Sequence, residues 1–186
     1  MDPYRVDVRP ILEDLGGTVL VQGDVDVPTL VLGSETFVPA GPATVDALVT
    51  NTGAGLVATG TVSVSVGVEC SRCLREFSMT VTGEIEGFWV TPGEEADLPE
   101  EQEYAFIDGG SVDLAPPILA ALAIELPFAP LHDEECAGIC PVCGADLNDG
   151  PCSCAPLERP DSPFAALKEL VPARAEGDRS DDDGVA

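Results

Sequence analysis

The sequence has very little positive charge. Its 186 residues include 8 Lys and Arg against 34 Asp and Glu, for a formal net charge of −26 at pH 7, and Lys168 is the single lysine. Proteins bind nucleic acids mainly through Lys and Arg side chains that displace counterions from the phosphates. The composition therefore argues strongly against a protein that binds nucleic acid over its whole surface, and we expect any direct contact to be at most local.

Long apolar runs and catalytic groups are also scarce. A membrane-spanning helix needs about 20 consecutive apolar residues, which no segment offers, and the first residues do not resemble a secretion signal. His132 is the only histidine, and we find no Ser or Cys in a nucleophile motif. The sequence therefore offers few groups for acid–base or nucleophilic catalysis, and we predict that the protein is not an enzyme. From the lack of long apolar runs and of a secretion signal, we predict a cytoplasmic protein that has no membrane contact.

Alternating apolar and polar residues predict a β-rich domain over residues 1–90. In residues 56–69 valines alternate with Thr, Ser and Gly, and residues 79–90 show the same period of two, which is typical of strands with one buried face. These two strands should form a hairpin connected by residues 70–77. Weaker strands over residues 18–27 and 45–50 would complete a small antiparallel β-sheet or open barrel.

The second half is predicted to be linker, helix and tail. Residues 91–112 begin with TPGEEADLPEEQE, an acidic stretch with little to bury, and are predicted to be an acidic linker. Asp113 and the two prolines that follow Ala115 predict a buried helix over residues 113–126, ended by Pro127. Residues 113–172 would then hold this helix, a Cys-rich zinc-binding part and a short helix over 164–170, before a disordered acidic tail over 173–186. The fold class is predicted to be α+β.

Seven cysteines are the most informative residues. Cys70 and Cys73 form a C-x-x-C pair on the hairpin connection, and the remaining five follow the helix at Cys136, Cys140, Cys143, Cys152 and Cys154. Disulfides are disfavoured in a reducing cytoplasm. Since a C-x-x-C turn places two thiolates where they can share a tetrahedral ion, the sequence predicts one or two bound Zn²⁺ ions.

Two ligand sets fit these cysteines. One set joins Cys70 and Cys73 to Cys140 and Cys143 across the linker. The other is local, with Cys140, Cys143, Cys152 and Cys154 in one site, so that Cys70 and Cys73 pair with Cys136 and His132. A thioredoxin-like redox role for Cys70 and Cys73 is a third hypothesis, but it requires the motif at a helix N-terminus in a βαβ unit, whereas here strands precede and follow it.

Arg72 and Arg75 are the only bases between Arg9 and Arg159, and both lie in the Cys70–Cys73 turn region. Two guanidiniums at a turn could contact a phosphate of RNA or a partner. Alternatively, they neutralise the thiolates and the nearby acids, including Glu69 and Glu76.

In their order and spacing, several segments resemble the YceD-like family of large ribosomal RNA subunit accumulation proteins. The matching segments are VECSRCL at residues 68–74, the acidic linker, ELP at 125–127, His132-Asp133, Cys136, CPVCGADLN at 140–148, CSC at 152–154 and PFAAL at 163–167. The resemblance implies a non-enzymatic factor that supports normal levels of large-subunit (23S) ribosomal RNA in ribosome assembly. Some relatives keep the first cysteine pair without the later cluster, which favours the local ligand set.

The acidic composition indicates what such a factor would bind. A strongly negative surface repels bare RNA and attracts basic proteins. We therefore expect the partner to be a basic ribosomal protein or a large-subunit precursor particle.

Overall fold

A computed structural model describes residues 1–95, 99 and 101–155. In this part the fold is mostly antiparallel β-sheet with one α-helix. The elements are β1 (Arg5–Asp7), β2 (Thr18–Val25), β3 (Leu30–Leu32), β4 (Glu35–Pro39), β5 (Ala43–Asn51), β6 (Leu56–Glu69), β7 (Glu76–Val90), β8 (Ala105–Phe106), β9 (Ser111–Asp113) and α1 (Ala115–Ile124).

The long hairpin of β6 and β7 is the centre of the sheet. The two strands pair over the whole length of β6, from Leu56 opposite Trp89 to Glu69 opposite Glu76. The alternation in β6 is confirmed, since Val62, Val64, Val66 and Val68 are all buried. Strand β7 begins at Glu76 rather than at residue 79, so the hairpin connection is shorter than predicted.

The other strands are arranged around β6. Because β7 occupies one edge of β6 completely, β5 and β4 share the opposite edge, with β5 beside residues 56–63 and β4 beside residues 66–67. Strand β2 pairs with β5, and β3 pairs with β4. Strands β2 and β5 correspond to the two weaker predicted strands, with small shifts at their ends.

Several short strands differ from the prediction. Strand β8 and the start of β9 fall within residues 91–112, which were predicted to be a linker; β8 pairs in parallel with β7, and β9 pairs with β1. Strands of two or three residues are too short to show a period of two in the sequence. Strands β1, β8 and β9 also pair with segments that are distant in sequence, which explains why they were not predicted. Strands β3 and β4 pair with each other as a short hairpin, with Leu32 opposite Glu35, and were not predicted either.

Helix α1 covers the core side of the hairpin. Its buried residues include Ile118 and Leu122, and a Cβ atom at Gly83 of β7 would collide with the Ala121 carbonyl group, so the glycine permits close packing of helix on strand. The N-cap is Leu114 rather than Asp113, whose carboxylate instead accepts a hydrogen bond from the Ala115 N–H group at 2.9 Å. The helix ends before Pro127, as predicted.

Two predicted segments, the short helix over 164–170 and the tail over 173–186, lie outside the described residues. Among the residues that the structure describes, no helix is both long and apolar enough to cross a membrane.

Candidate metal centres

The connection between β6 and β7 forms a tight turn that holds Cys70 and Cys73. The Cys70 N–H group donates to the Arg75 carbonyl oxygen at 2.9 Å, and the Leu74 N–H group donates to the Cys70 carbonyl oxygen at 2.8 Å. Leu74 has a φ of 62°, a left-handed conformation that costs a non-glycine residue about 1–2 kcal/mol. We call residues 70–75 the first knuckle.

Residues 140–145 form a second knuckle with the same hydrogen bonds. The Cys140 N–H group donates to the Ala145 carbonyl oxygen at 2.8 Å, and the Gly144 N–H group donates to the Cys140 carbonyl oxygen at 2.8 Å. Gly144 has a φ of 72° and occupies the position that Leu74 has in the first knuckle. The two C-x-x-C motifs therefore adopt one backbone design, in which the glycine of the second knuckle avoids the strain at Leu74.

The first knuckle meets the loop that follows α1 in a group of four side chains, the inner centre. Its members are Cys70, Cys73, His132 and Cys136, whose ligand atoms all lie within 4.8 Å of one another. The Cys70 and Cys136 sulfurs are 3.7 Å apart, and the Cys73 sulfur is 3.5 Å from His132 Nδ1. The three cysteines are buried, and the His132 ring meets Phe77 edge to face.

The second knuckle is part of another group of four, the outer centre. Cys140, Cys143, Cys152 and Cys154 place their sulfurs within 4.8 Å of one another. Cys140 is buried and accepts a hydrogen bond from the Val142 N–H group at 3.4 Å, whereas Cys143 is exposed and the other two are half-buried. The outer centre is thus much closer to solvent than the inner one.

Of the two ligand sets that the sequence allowed, the structure has the local one. Cys70 and Cys73 lie with Cys136 and His132, and Cys140 and Cys143 lie with Cys152 and Cys154. The alternative in which the two C-x-x-C pairs share one ion does not agree with this arrangement. All seven cysteines are free thiols.

In the inner centre the thiols have unequal acidity. Burial raises the pKa of Cys70, but hydrogen bonds from His132 and from backbone N–H groups outweigh burial and lower this pKa to about 5. Burial and the neighbouring thiols of Cys136 and Cys70 raise the pKa of Cys73.

The outer centre repeats this contrast. Backbone N–H groups of Cys143 and Val142 lower the pKa of Cys140 to about 6, and the Cys143 thiol, together with burial, raises the pKa of Cys154 to about 12. Thiolates packed this closely repel one another, so they cannot all ionise on their own. A bound cation would remove that restriction.

Both centres have the size and donors of a closed tetrahedral metal site. Zn–S bonds of about 2.3 Å in tetrahedral geometry place two sulfurs about 3.8 Å apart, close to the 3.7 Å between Cys70 and Cys136. Cys₃His and Cys₄ are typical structural zinc ligand sets. Since four protein ligands complete the coordination, either centre could hold a metal ion without an open position for a substrate.

Arg72 and Arg75 connect the first knuckle to residues 127–155, the part of the chain that follows α1, which we call the Cys-rich segment. Arg72 donates to the carbonyl oxygens of Glu134 and Cys136, both at 3.0 Å. Arg75 pairs with Asp146 at 2.9 Å and with Asp149 at 3.6 Å. The acids paired here are thus Asp146 and Asp149, both with Arg75, rather than Glu69 and Glu76. Both guanidiniums are used within the chain.

Asn148 is a site residue to which sequence reasoning assigned no role. It lies in the loop between Cys143 and Cys152, and its Nδ2 atom donates to the Cys136 sulfur at 3.5 Å. Its Oδ1 atom accepts from the Ala137 N–H group at 2.8 Å. An outer-centre loop residue thus touches an inner-centre ligand, a contact that cysteine spacing alone could not indicate.

The fold and the two centres define a mostly β protein that carries two four-ligand Cys-rich sites, one between the β6–β7 hairpin and the segment after α1 and one within that segment. The chain belongs to the YceD family: the family model, described as large ribosomal RNA subunit accumulation protein YceD, matches residues 58–171. That stretch contains the hairpin except for its first two residues, helix α1 and both centres. The family name points to a role in the accumulation of large-subunit ribosomal RNA.

Three similar curated proteins have names that describe them as uncharacterized. One from Mycobacterium bovis is 35% identical over 98 residues, which are 52% of this chain and 47% of that protein. One from Mycobacterium tuberculosis gives the same figures, and one from Mycobacterium leprae is 29% identical over 188 residues, covering 97% of this chain and 85% of that protein. The match spans about half the length of the first two relatives. No solved structure matches this chain.

Proposed function

We propose that this chain is a non-enzymatic cytoplasmic factor that supports accumulation of 23S ribosomal RNA and assembly of the large subunit by binding a basic ribosomal protein or a precursor particle. The observation that carries this proposal is that the arginines in the described part of this chain are paired with groups of the chain itself. Among the described residues, all four arginines are engaged by groups of the chain itself. Within the described residues, the surface therefore presents carboxylates rather than unpaired Arg side chains to a partner.

The other two arginines are also engaged. Arg5 pairs with Asp108 at 2.9 Å, and Arg9 pairs with Asp7 at 2.6 Å. Binding of bare RNA depends on free Lys and Arg side chains. An acidic surface instead favours association with basic proteins and speeds their encounter, which supports a protein partner over RNA alone.

A cleft at the first knuckle is the proposed contact face. It has a volume of about 790 Å³ and lies between β4 and the knuckle end of the β6–β7 hairpin. Glu35, Glu69 and Glu76 line it, together with the apolar side chains of Val38 and Phe77. Such a cleft offers carboxylates to the charged end of an Arg or Lys side chain and apolar surface to its aliphatic part.

The register of the hairpin makes this cleft receptive to a cation. Glu69 and Glu76 lie directly opposite each other, and like charges in that position destabilise a strand pair. Arg72 and Arg75 are close in sequence to these two acids but bind groups of the Cys-rich segment instead. A partner's guanidinium or ammonium group would relieve the repulsion.

We further propose that each centre binds one Zn²⁺ ion with a structural role. Structural zinc contributes on the order of 10 kcal/mol to the folding of small modules. The inner centre lies at the end of the same hairpin that carries Glu69 and Glu76. Zinc there would hold the cleft in a fixed shape, and the inner ligands would thus support partner binding without contacting the partner.

A salt-dependent pull-down tests the partner and the face together. Immobilised protein is mixed with purified large-subunit ribosomal proteins, and Glu69→Gln/Glu76→Gln is compared with the control Glu84→Gln/Glu86→Gln, which removes the same charge from exposed positions of β7 away from the knuckle. We expect salt-sensitive capture of basic proteins that weakens more in the first variant. Equal weakening in both variants would reject the proposal that the cleft is the contact face. Retention of bare ribosomal RNA without any protein would reject the partner.

Thiol–disulfide exchange is a second candidate that one observation favours. Reactive cysteines have lowered pKa values, and the pKa of Cys70 is lowered to about 5. Cys70 is buried, however, and sits in a hairpin turn beside three further potential ligands. Metal analysis separates the candidates: a metal-free protein that reduces a disulfide would support redox chemistry, and thiols that react only after chelation would support structural zinc.

A further inference from the structure

We propose that the two metal centres are coupled, so that a metal ion in the outer centre raises the metal affinity of the inner centre. The inference rests on the proposed binding of zinc at both centres. Its structural basis is the loop between Cys143 and Cys152, which is closed by outer ligands and contacts an inner ligand. We call residues 144–151 the bridging loop.

The first contact is made by Asn148. Its side-chain amide donates to the Cys136 sulfur at 3.5 Å, while its carbonyl oxygen holds the Ala137 N–H group next to that ligand. Asp146 fixes the position of Asn148 by accepting from its backbone N–H group at 2.9 Å. Hydrogen bonds to metal ligands from such outer partners change metal affinity by about 10–100-fold.

The second contact joins the bridging loop to the first knuckle. Asp146 pairs with Arg75, which follows the inner ligand Cys73 by two residues. The Ile139 N–H group also donates to the Arg72 carbonyl oxygen at 3.2 Å, and the Leu147 N–H group donates to the Gly138 carbonyl oxygen at 2.8 Å. The bridging loop therefore supports the geometry of the inner centre in two separate ways, through Asn148 and through the first knuckle.

The bridging loop has little else to keep it ordered. None of its residues is buried, and its short 3-10 turn, Leu147–Asp149, contributes no side chain to a core. Segments with few buried apolar contacts open at low cost. Without a metal ion at its two ends, the loop would have to be ordered before Asn148 could reach Cys136, and that ordering costs conformational entropy.

The coupling therefore has a definite sign. A metal ion that joins Cys143 to Cys152 orders the bridging loop in advance, so the inner ion binds a site whose supporting hydrogen bonds are already formed. Coupling between two binding equilibria is reciprocal. Inner-centre metal should consequently raise the affinity of the outer centre by the same factor.

Cobalt substitution measures each centre separately, because Cys₃His and Cys₄ ligand sets give different Co²⁺ absorption spectra. The inner-centre affinity is determined by competition with a chelator in the full chain and in Cys152→Ser/Cys154→Ser. We expect it to fall about tenfold or more in the variant, in line with the effect of outer hydrogen-bond partners. An unchanged inner-centre affinity would overturn the proposal.

A second variant keeps all eight ligands. Asn148→Ala should weaken the inner centre similarly, and adding Cys152→Ser/Cys154→Ser to it should cause a clearly smaller further loss than in the wild type. Gln22→Ala, which removes an exposed amide from β2, is the control and should leave both affinities unchanged. Additive losses would contradict a route through Asn148. A wild-type chain that binds no metal would refute the zinc proposal itself, an outcome distinct from two sites that fill independently.

Discussion

The sheet and the Cys-rich segment of this chain are held together in different ways. The sheet buries a continuous apolar core that includes Phe37, Leu56 and Ile85, and α1 adds Ile118 and Leu122 to it. In residues 127–155 the buried positions are only Pro130, Cys136, Gly138 and Cys140. The first region can fold through the hydrophobic effect, whereas the second has no comparable core and depends on its thiols.

The comparison also shows how the two regions are joined. The inner centre takes two ligands from the hairpin and two from the segment after α1, while the outer centre lies entirely within that segment. Arg72 and Arg75 add direct contacts between hairpin and segment. Loss of metal should therefore destabilise the two regions unequally.

The largest effect should follow removal of metal. Treatment with a strong chelator should release residues 127–155 while the sheet stays folded, because zinc contributes on the order of 10 kcal/mol to such sites. Hydrogen exchange measures this directly: amides such as that of Cys140 should lose protection, and those of β5 should keep it. Equal loss of protection in both regions would contradict the separation.

Shortening a side chain in the apolar core should instead destabilise the sheet more than the Cys-rich segment. Leu122→Ala removes a fully buried side chain of α1, and such changes typically lower the free energy of unfolding by about 2–5 kcal/mol. Urea unfolding followed by the fluorescence of Trp89 reports on the sheet. Ile124→Ala, on the exposed side of the same helix, is the matched control and should change the unfolding free energy by less than about 0.5 kcal/mol.

The two knuckles provide a smaller, internal comparison. Gly144→Ala places a side chain at a φ of 72° and should destabilise the zinc-bound segment by about 1–2 kcal/mol. Leu74→Gly removes that same strain from the first knuckle and should not destabilise it. Chelator concentrations at half-unfolding compare the variants, and a greater loss for Leu74→Gly than for Gly144→Ala would show that the knuckles are not equivalent.

The smallest effect is expected for the ion pair between the regions. Arg75 and Asp146 are both partly exposed, and pairs of this kind contribute little to stability because water and salt screen them. Arg75→Gln should lower the melting temperature only slightly at low salt, with the difference shrinking at high salt. Arg9→Gln, which breaks the exposed pair with Asp7, is the control for loss of an ion pair that does not join the two regions.

Sequence reasoning recovered the parts of the fold that repeat locally. The valines of β6 alternate over many residues, and their register follows from burial of one face. Helix α1 was recognised from its prolines and the stop at Pro127. The short strands β8 and β9 have no such local signal, because each is defined by a partner strand elsewhere in the chain.

From the sequence, the candidate site could be predicted only as a set of possible metal ligands. Spacing identified the C-x-x-C pairs as knuckles, but it could not decide which pairs share an ion, since either set satisfies four-coordination. That choice depends on how the loop after α1 returns to the hairpin and brings His132 and Cys136 to the first knuckle. The partners of Arg75 were missed for the same reason: Asp146 is distant in sequence, whereas Glu76 is adjacent.

Metal stoichiometry shows whether two separate local centres each bind one zinc ion. Native mass spectrometry of the intact chain should show two zinc ions in the wild type and one in Cys152→Ser/Cys154→Ser, with the sheet still folded. A single ion in the wild type that is lost in both Cys70→Ser and Cys143→Ser would restore one shared site, and a folded chain without zinc would contradict the claim entirely.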